Sequence, residues 1–384
     1  MKYVKVKDLG QIVTGNTPST SDMSNYGDFM PFIKATDIIL ESRYTYITEQ
    51  RYSEKSYKKY KANVIPKGST CIVTIGSIGK KMTQAHTDLF VNQAINAILP
   101  YEQYDKDYIY YATKYAVLPQ LKIYDSGTTS GRENISKSSF SNIRLYVEED
   151  FSTQQKIASI LSAYDRLIEN NTRRIRLLEQ MAENLYKEWF VRFRFPGHEN
   201  VEMVNGLPKG WKLKHYVDEL DIRYGKGLAT ELLQKEGFPV FGSNGQIGFY
   251  KSYMYEDPQI LISCRGASSG IVNISLPKSY ITSNSLVCER TEKTESLYEY
   301  LKYYFLNNNL VQYQTGSAQP QITISNIGKL KLLIPEVNVQ RNFSEKIKGI
   351  DLEIYNLQQQ NQLLTRQRDL LLPRLMSGKL EVKS

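Results

Sequence analysis

Three histidines and three cysteines are the residues of this chain best suited to nucleophilic or metal chemistry. Cys71, Cys264 and Cys288 lie far apart and are odd in number, so they give neither the close pairs of a zinc site nor a disulfide framework. They read as reduced, mostly buried thiols. His86, His198 and His215 are isolated from one another and from the cysteines, and read as surface or linker residues rather than metal ligands. Gly76-Ser77-Ile78-Gly79-Lys80-Lys81 looks like a phosphate loop, but it lacks the four-residue gap before Gly-Lys and the Ser or Thr after it. No nucleophile elbow is expected, and there is no H-E-x-x-H, no dinucleotide-binding fingerprint, no Asn-Pro-Pro-Tyr tetrapeptide of the amino-methyltransferases and no carboxylate cluster of a nuclease. The chain is expected to catalyse nothing by itself and to hold no metal or cofactor.

Binding remains. A formal charge of +9 over 384 residues points to an acidic polymer as partner, and 29 tyrosines supply flat, partly polar surfaces suited to nucleic-acid or protein interfaces. No stretch approaches the roughly 18 apolar residues of a membrane span, and Met1-Lys2-Tyr3-Val4-Lys5-Val6 carries no apolar leader, so a cytoplasmic protein is expected.

The elements that must position any binding residues announce themselves through a heptad. Steps of four and three from Ile157 reach Leu161, Tyr164, Ile168, Asn171, Ile175, Leu178, Ala182, Leu185 and Trp189 without a slip. That period belongs to a coiled coil. Adding 186 gives Phe343, Ile347, Ile350, Ile354, Leu357, Asn361, Leu364, Arg368, Leu371 and Leu375, a second seam in the same phase. Strand-rich segments precede both helices and repeat each other. Residues 259–266 match 69–76 at an offset of 190, 297–304 match 108–115 at 189, Gly316 matches Gly127, and Pro239 matches Pro31 at 208. The growing offset places about twenty extra residues between Ile38 and Ser69 of the first copy. The expected order is a domain at 1–151, a helix at 152–194 capped by Ser152 or Thr153, a breaker-rich linker at 195–210, a second domain at 211–337, a second helix at 338–376 and a tail at 377–384. Within the first domain, residues 108–121 are the expected helix.

Parallel pairing of the two helices would bury Asn171 against Leu357 and Asn361 against Ile175, at about 1 to 3 kcal/mol per unsatisfied amide. Antiparallel pairing with flush ends sets Asn171 opposite Asn361, a polar pair that fixes register. It also sets Arg368 opposite Tyr164, where a cation could stack on the ring. The fold class is therefore α+β: two similar strand-rich domains separated by a pair of long antiparallel coiled-coil helices, with a pseudo-two-fold internal repeat. Each seam, about 50 Å long, would act as a spacer. The other arrangement leaves each helix packed on its own domain.

Six short stretches, in order, carry a resemblance. They are Pro66-Lys67-Gly68 with Ile75-Gly76-Ser77-Ile78-Gly79-Lys80; Trp189-Phe190-Val191 with Phe193-Arg194-Phe195-Pro196-Gly197; Leu207-Pro208-Lys209-Gly210-Trp211; Gly242-Ser243-Asn244-Gly245-Gln246-Ile247-Gly248; Gly316-Ser317-Ala318-Gln319-Pro320-Gln321-Ile322; and Ser377-Gly378-Lys379-Leu380. On a duplicated domain-helix plan these resemble the specificity subunit of type I restriction-modification systems over essentially the whole chain. Residues 127–134 depart from the pattern by lacking the Gln-Pro-Gln core. The resemblance implies two target recognition domains, each reading half of a bipartite double-stranded DNA sequence. It implies a spacer that sets the unread gap and docks two DNA adenine methyltransferase (modification) subunits. S-adenosylmethionine would sit in those subunits, and ATP and Mg would serve the restriction (translocase and endonuclease) subunits.

Side-chain chemistry then nominates contacts: lysines and arginines for phosphate, Asn, Gln and Arg for base edges. In the first domain these are Lys34, Thr36, Lys80, Lys81, Arg132 and Asn134; in the second, Lys226, Ser243, Asn244, Arg265, Gln319 and Gln321. Gly76, Gly79, Gly266 and Gly270 are expected to permit tight turns. Two other readings stand beside this one: a protein-interaction scaffold with no DNA role, and a specificity subunit serving a combined cleavage and methylation enzyme.

Overall fold

The computed structural model of the chain describes residues 1–40, 42–125, 133–316 and 319–382. It divides into two compact units, one formed by Met1–Arg173 with Leu357–Ser384 and the other by Arg174–Asn356. Each unit thus takes one β domain, half of the first long helix and the opposite half of the second.

In unit one a four-stranded antiparallel sheet runs in the order Gly10–Thr14, Ile95–Pro100, Thr70–Val73, Met82–Gln84. Thr70–Val73 is buried on both faces, as its unbroken apolar and β-branched run requires. A three-stranded sheet, Gln50–Tyr52, Tyr26–Ile33, Phe90–Val91, has its last pair parallel. Lys2–Lys5 pairs with Arg144–Val147. Unit two repeats all three sheets. Its four-stranded sheet is Asp221–Tyr224, Ser285–Glu289, Ile260–Ser263, Val272–Ile274. Its three-stranded sheet is Gly245–Tyr250, Phe238–Gly242, Tyr280–Ile281, and Lys212–His215 pairs with Lys331–Ile334.

The paired registers give the true offsets. Phe32 opposite Phe90 becomes Val240 opposite Tyr280, and Ile72 opposite Asn96 becomes Ile262 opposite Leu286. These are the 208 and 190 read from the letters. The registers divide the extra residues of the first copy into two groups. Ten fall between Phe32 and Gln50, whose counterparts Val240 and Gly248 sit across a tight hairpin; eight more follow before Thr70.

The offset of 189 for the domain helices is corrected by one turn. Lys106–Ala112 continues through a π turn, Thr113–Val117, and a 3-10 segment, Leu118–Tyr124, and its counterpart is Tyr298–Asn307. Their N-caps, Asp105 and Leu297, differ by 192, so Tyr108 corresponds to Tyr300 and Tyr111 to Tyr303. Tyrosines three apart recur on both helices, so a slip of one turn still sets tyrosine on tyrosine and misleads a comparison of letters.

The long helices span Phe151–Tyr186 and Val337–Met376, and a π turn, Lys187–Val191, prolongs the first. Asp150 caps the first helix rather than Ser152 or Thr153: its carboxylate accepts from the Thr153 amide at 2.8 Å and hydroxyl at 2.6 Å. Those bonds hold the Asp150 carboxyl below its ordinary pKa. No residue of either heptad seam is exposed, whereas most positions between are.

Within unit one, Asp165 bonds Arg368, Asn171 Nδ2 donates to Gln360 Oε1 at 3.2 Å, and Asn361 Nδ2 donates to Thr172 Oγ1 at 3.3 Å. From Asp165 to Asn171 the first helix advances while its partner on the second moves back from Arg368 to Gln360, so the pairing is antiparallel. Each asparagine bonds a neighbour of the other. Arg368, expected over the Tyr164 ring, has its guanidinium 2.7 Å from Asp165 and 2.9 Å from Asp369, because a buried cation gains more from a carboxylate than from a ring face. Within unit two, Arg174 pairs with Glu353 at 2.6 Å, and Trp189 and Phe190 pack on Phe343. Leu380 and Val382 of the tail lie against the core of unit one. Among the described residues no helix is long and apolar enough to cross a membrane.

Candidate nucleic-acid interface

In unit two, strand Ile260–Ser263 leads into Cys264 and Arg265, and Arg265 bridges antiparallel to Gln321. The Gly266 amide donates to the Pro320 carbonyl at 3.0 Å, and the Ile322 amide to the Cys264 carbonyl at 3.0 Å. The two-residue turn Ser243-Asn244 joins strands Phe238–Gly242 and Gly245–Tyr250, and Gly245 supplies the positive φ of 86° that closes it. Ser243 Oγ donates to the Asn284 carbonyl at 3.1 Å, and the Cys264 amide donates to the same carbonyl at 2.9 Å. Ser268 Oγ donates to Asn244 Oδ1. The Lys226 amide donates to the Ile281 carbonyl at 3.0 Å, while Thr282 donates to Phe241 at 2.9 Å. Lys226, Ser243, Asn244, Arg265 and Gln321 therefore gather at one end of the β domain. Lys226, Asn244, Arg265, Gln319 and Gln321 are exposed; Ser243 is half-buried with its hydroxyl engaged.

Unit one repeats the rim. Ile75 bridges Asn134, the Gly76 amide donates to the Glu133 carbonyl at 2.9 Å, and Ile135 donates to Thr74 at 2.9 Å. Asn134 thus occupies the place of Gln321 although the Gln-Pro-Gln letters are missing. Lys34 and Thr36 follow strand Tyr26–Ile33, at the places taken in unit two by Gly242, the last residue of the counterpart strand, and Asn244 just beyond it. Lys34 is paired with Glu49. Lys81 Nζ donates to the Ala35 carbonyl at 2.9 Å, so it braces this segment rather than standing free. Thr36 and Lys80 are exposed. Arg132 lies outside the described residues. Gly76, Gly79, Gly266 and Gly270 all have positive φ, and at Gly270 a Cβ would come within 2.7 Å of the Val311 backbone.

Among the described residues, none in this rim is built for bond-making. Gly266-Ala267-Ser268-Ser269-Gly270 has the letter spacing of a nucleophile elbow, but it connects two strands instead of a strand to a helix, and Ser268 serves Asn244. His198 Nδ1 is engaged by the Phe195 carbonyl and His215 Nδ1 by Asp218. All three cysteines are buried, and burial pushes the Cys71 and Cys288 thiols up to about 12. Among the described residues no three metal-binding side chains cluster. The Trp189 and Phe195 motifs are structural: Phe193 and Phe195 each lie 5.4 Å from the Trp211 ring in the core of unit two.

The buried arginine of unit one has no signal in the sequence. Arg43 is buried in unit one, with Nη2 2.5 Å from Asp107, Nη1 2.7 Å from Ser162 and Nε 2.8 Å from Gln84. Burial works against its charge, but the flanking Tyr111 hydroxyl and Asp107 outweigh that and raise its pKa. The Tyr111 hydroxyl in turn donates to Asp165. A lone arginine in a tyrosine-rich stretch carries no periodic signal, so spacing alone does not reveal it.

The chain thus holds two copies of a strand-rich domain, each with a polar, partly basic rim and each packed on the long helices. The sequence matches the type I restriction modification DNA specificity domain over residues 1–180 and again over 208–366, and the chain belongs to that family. It is similar to the specificity subunit of the type I restriction enzyme MjaIX from Methanocaldococcus jannaschii, with 28% identity over 408 residues, covering 99% of this chain and 93% of that one. The HindI specificity subunit of Haemophilus influenzae is 31% identical over 184 residues, 45% of this chain and 38% of its own. In fold the chain is similar to the crystal structure of a type I restriction-modification system S subunit from M. genitalium, with a TM-score of 0.62, 18% identity and coverage of 98% and 96%. By family it is a non-catalytic specificity subunit, which implies DNA and other subunits as partners.

Proposed function

We propose that each unit reads one half of a bipartite DNA target, and that the paired helices set the unread gap and dock two modification subunits. The observation that carries this reading is the repeated rim: Arg265 with Gln321 and Ile75 with Asn134 sit at the same bridge of the same topology. One rim per unit suits one half-site per unit, and the different side chains suit two different half-sequences. Docking is supported by apolar residues exposed outside the helix seams. Unit one leaves Leu167, Leu363 and Leu370 exposed, and unit two leaves Leu177, Met181, Leu352 and Tyr355 exposed. Leu177 and Leu363 are repeat equivalents, 186 apart. In this reading S-adenosylmethionine belongs to the docked modification subunits, and ATP and Mg to restriction subunits.

Salt separates this from a scaffold that uses no DNA. Affinity of the assembled complex for cognate duplex should fall steeply and log-linearly between about 50 and 200 mM salt, as phosphate neutralisation requires. Binding that ignores salt and sequence would refute the DNA-reading role. Copurification of the chain with its native neighbours tells a separate methyltransferase from a combined cleavage and methylation enzyme.

A further inference from the structure

The two units fasten their β domains to the long helices by the same residues. Gln154 Oε1 accepts from the Asp105 amide at 2.8 Å and Gln340 Oε1 from the Leu297 amide at 2.7 Å, each the N-cap of a domain helix. Asp165 accepts the Tyr111 hydroxyl, and Asp351 accepts the Tyr303 hydroxyl at 2.9 Å. Both acceptors repeat at 186 and both helix positions at 192.

The third fastening differs. In unit two Glu299 lies 3.6 Å from Lys348 of the second long helix. The equivalent positions in unit one are Asp107 and Ser162, and serine brings no charge. Arg43 supplies it, reaching both Asp107 and Ser162, with its guanidinium 5.0 to 5.3 Å from the rings of Tyr44, Tyr110 and Tyr111. Arg43 belongs to the connection, absent from unit two, that begins with Lys34 and Thr36. Tyr46 of the same connection donates to Glu169 on the first long helix.

We propose that Arg43 is a positioning residue for reading one half-site: it takes the place of the helix-borne cation and thereby anchors the inserted connection, with Lys34 and Thr36, to the first long helix. A connection tied down beyond its midpoint has a shorter free span and fewer conformations to lose on binding. Because the guanidinium is buried and its partners are buried or half-buried, releasing it would leave polar groups without partners, so the anchor holds firmly. The inference rests on the reading of unit one as a DNA-reading domain.

The test uses the complete methyltransferase complex carrying Arg43→Ala, Ser162→Lys or both, with methylation rates measured on duplexes bearing the cognate site or single-base changes in either half. Arg43→Ala should lower the ratio of cognate to substituted rates about tenfold in one half, a base contact's worth, and leave the other half unchanged. The double variant sets a cation opposite Asp107 as Lys348 stands opposite Glu299, and should regain thermal stability without regaining discrimination. Full discrimination by Arg43→Ala, or its return together with stability in the double variant, would overturn the proposal. Should the unsubstituted complex discriminate at neither half, the DNA-reading role itself falls, and this inference with it.

Discussion

At the scale of single residues, Asp165 and Arg368 show how much of unit one hangs on one charge pair. Arg368 is almost wholly buried and held at 2.7 Å by Asp165, while its second partner, Asp369, is half exposed. Asp165→Ala should therefore cost about 3 kcal/mol in urea unfolding, the penalty of a stranded buried cation, and Asp369→Ala less than about 1 kcal/mol. At the rim, Arg265→Ala and Gln321→Ala should each relax discrimination at one half-site by about 1 to 3 kcal/mol, measured by competition binding with substituted duplexes in the assembled complex. Unchanged affinity for cognate DNA in the double variant would remove both from the reading set. The thiols give a further check. With folded pKa values of about 12, Cys71 and Cys288 carry a thiolate fraction on the order of one in ten thousand at pH 8, so iodoacetamide should label them only after denaturation. The turns of the rim, such as Ser243-Asn244-Gly245 and Gly266, were legible because turn glycines and polar residues flank short β-branched runs. The partners of Lys34 and Lys81 were not, since Glu49 and the Ala35 carbonyl meet them only through the folded connection.

At the scale of elements, the heptad was the most legible feature, because a 3.5-residue period kept over more than four repeats is what a helix-helix seam demands and a lone amphipathic helix does not maintain. It placed the helices, and the structure adds what spacing lacks: the N-cap at Asp150, the ion pair that holds Arg368 and the one-turn correction at the domain helices. That correction matters, since only with Tyr111 set against Tyr303 do Asp165 and Asp351 become equivalent acceptors. The helix faces outside the seam carry their own test. Leu177→Asp and Leu363→Asp should leave the unfolding midpoint nearly unchanged, because both side chains are at least half exposed, yet each should remove one modification subunit from the complex. Sedimentation of the purified complex reads this directly: two modification subunits per unsubstituted chain, one for either variant, none for both.

For the molecule as a whole, duplication supplies the two halves that the proposed reading of a composite sequence draws on. Two similar domains with unlike rims can read unlike half-sequences, and a net charge of +9 draws both toward the same polymer. Whole-chain organisation was legible from the repeat; the insertion anchored by Arg43 was not, because it exists in one copy only and has no twin to compare. The central claim is two readings at a fixed separation, and sequencing of methylated bases in the genome of a host expressing this chain with its modification subunits tests it most directly. The expected result is a single motif of two specified stretches separated by a constant unspecified gap, with a modified base in each stretch. A continuous motif, a motif with only one specified half, or modification without sequence preference would contradict it.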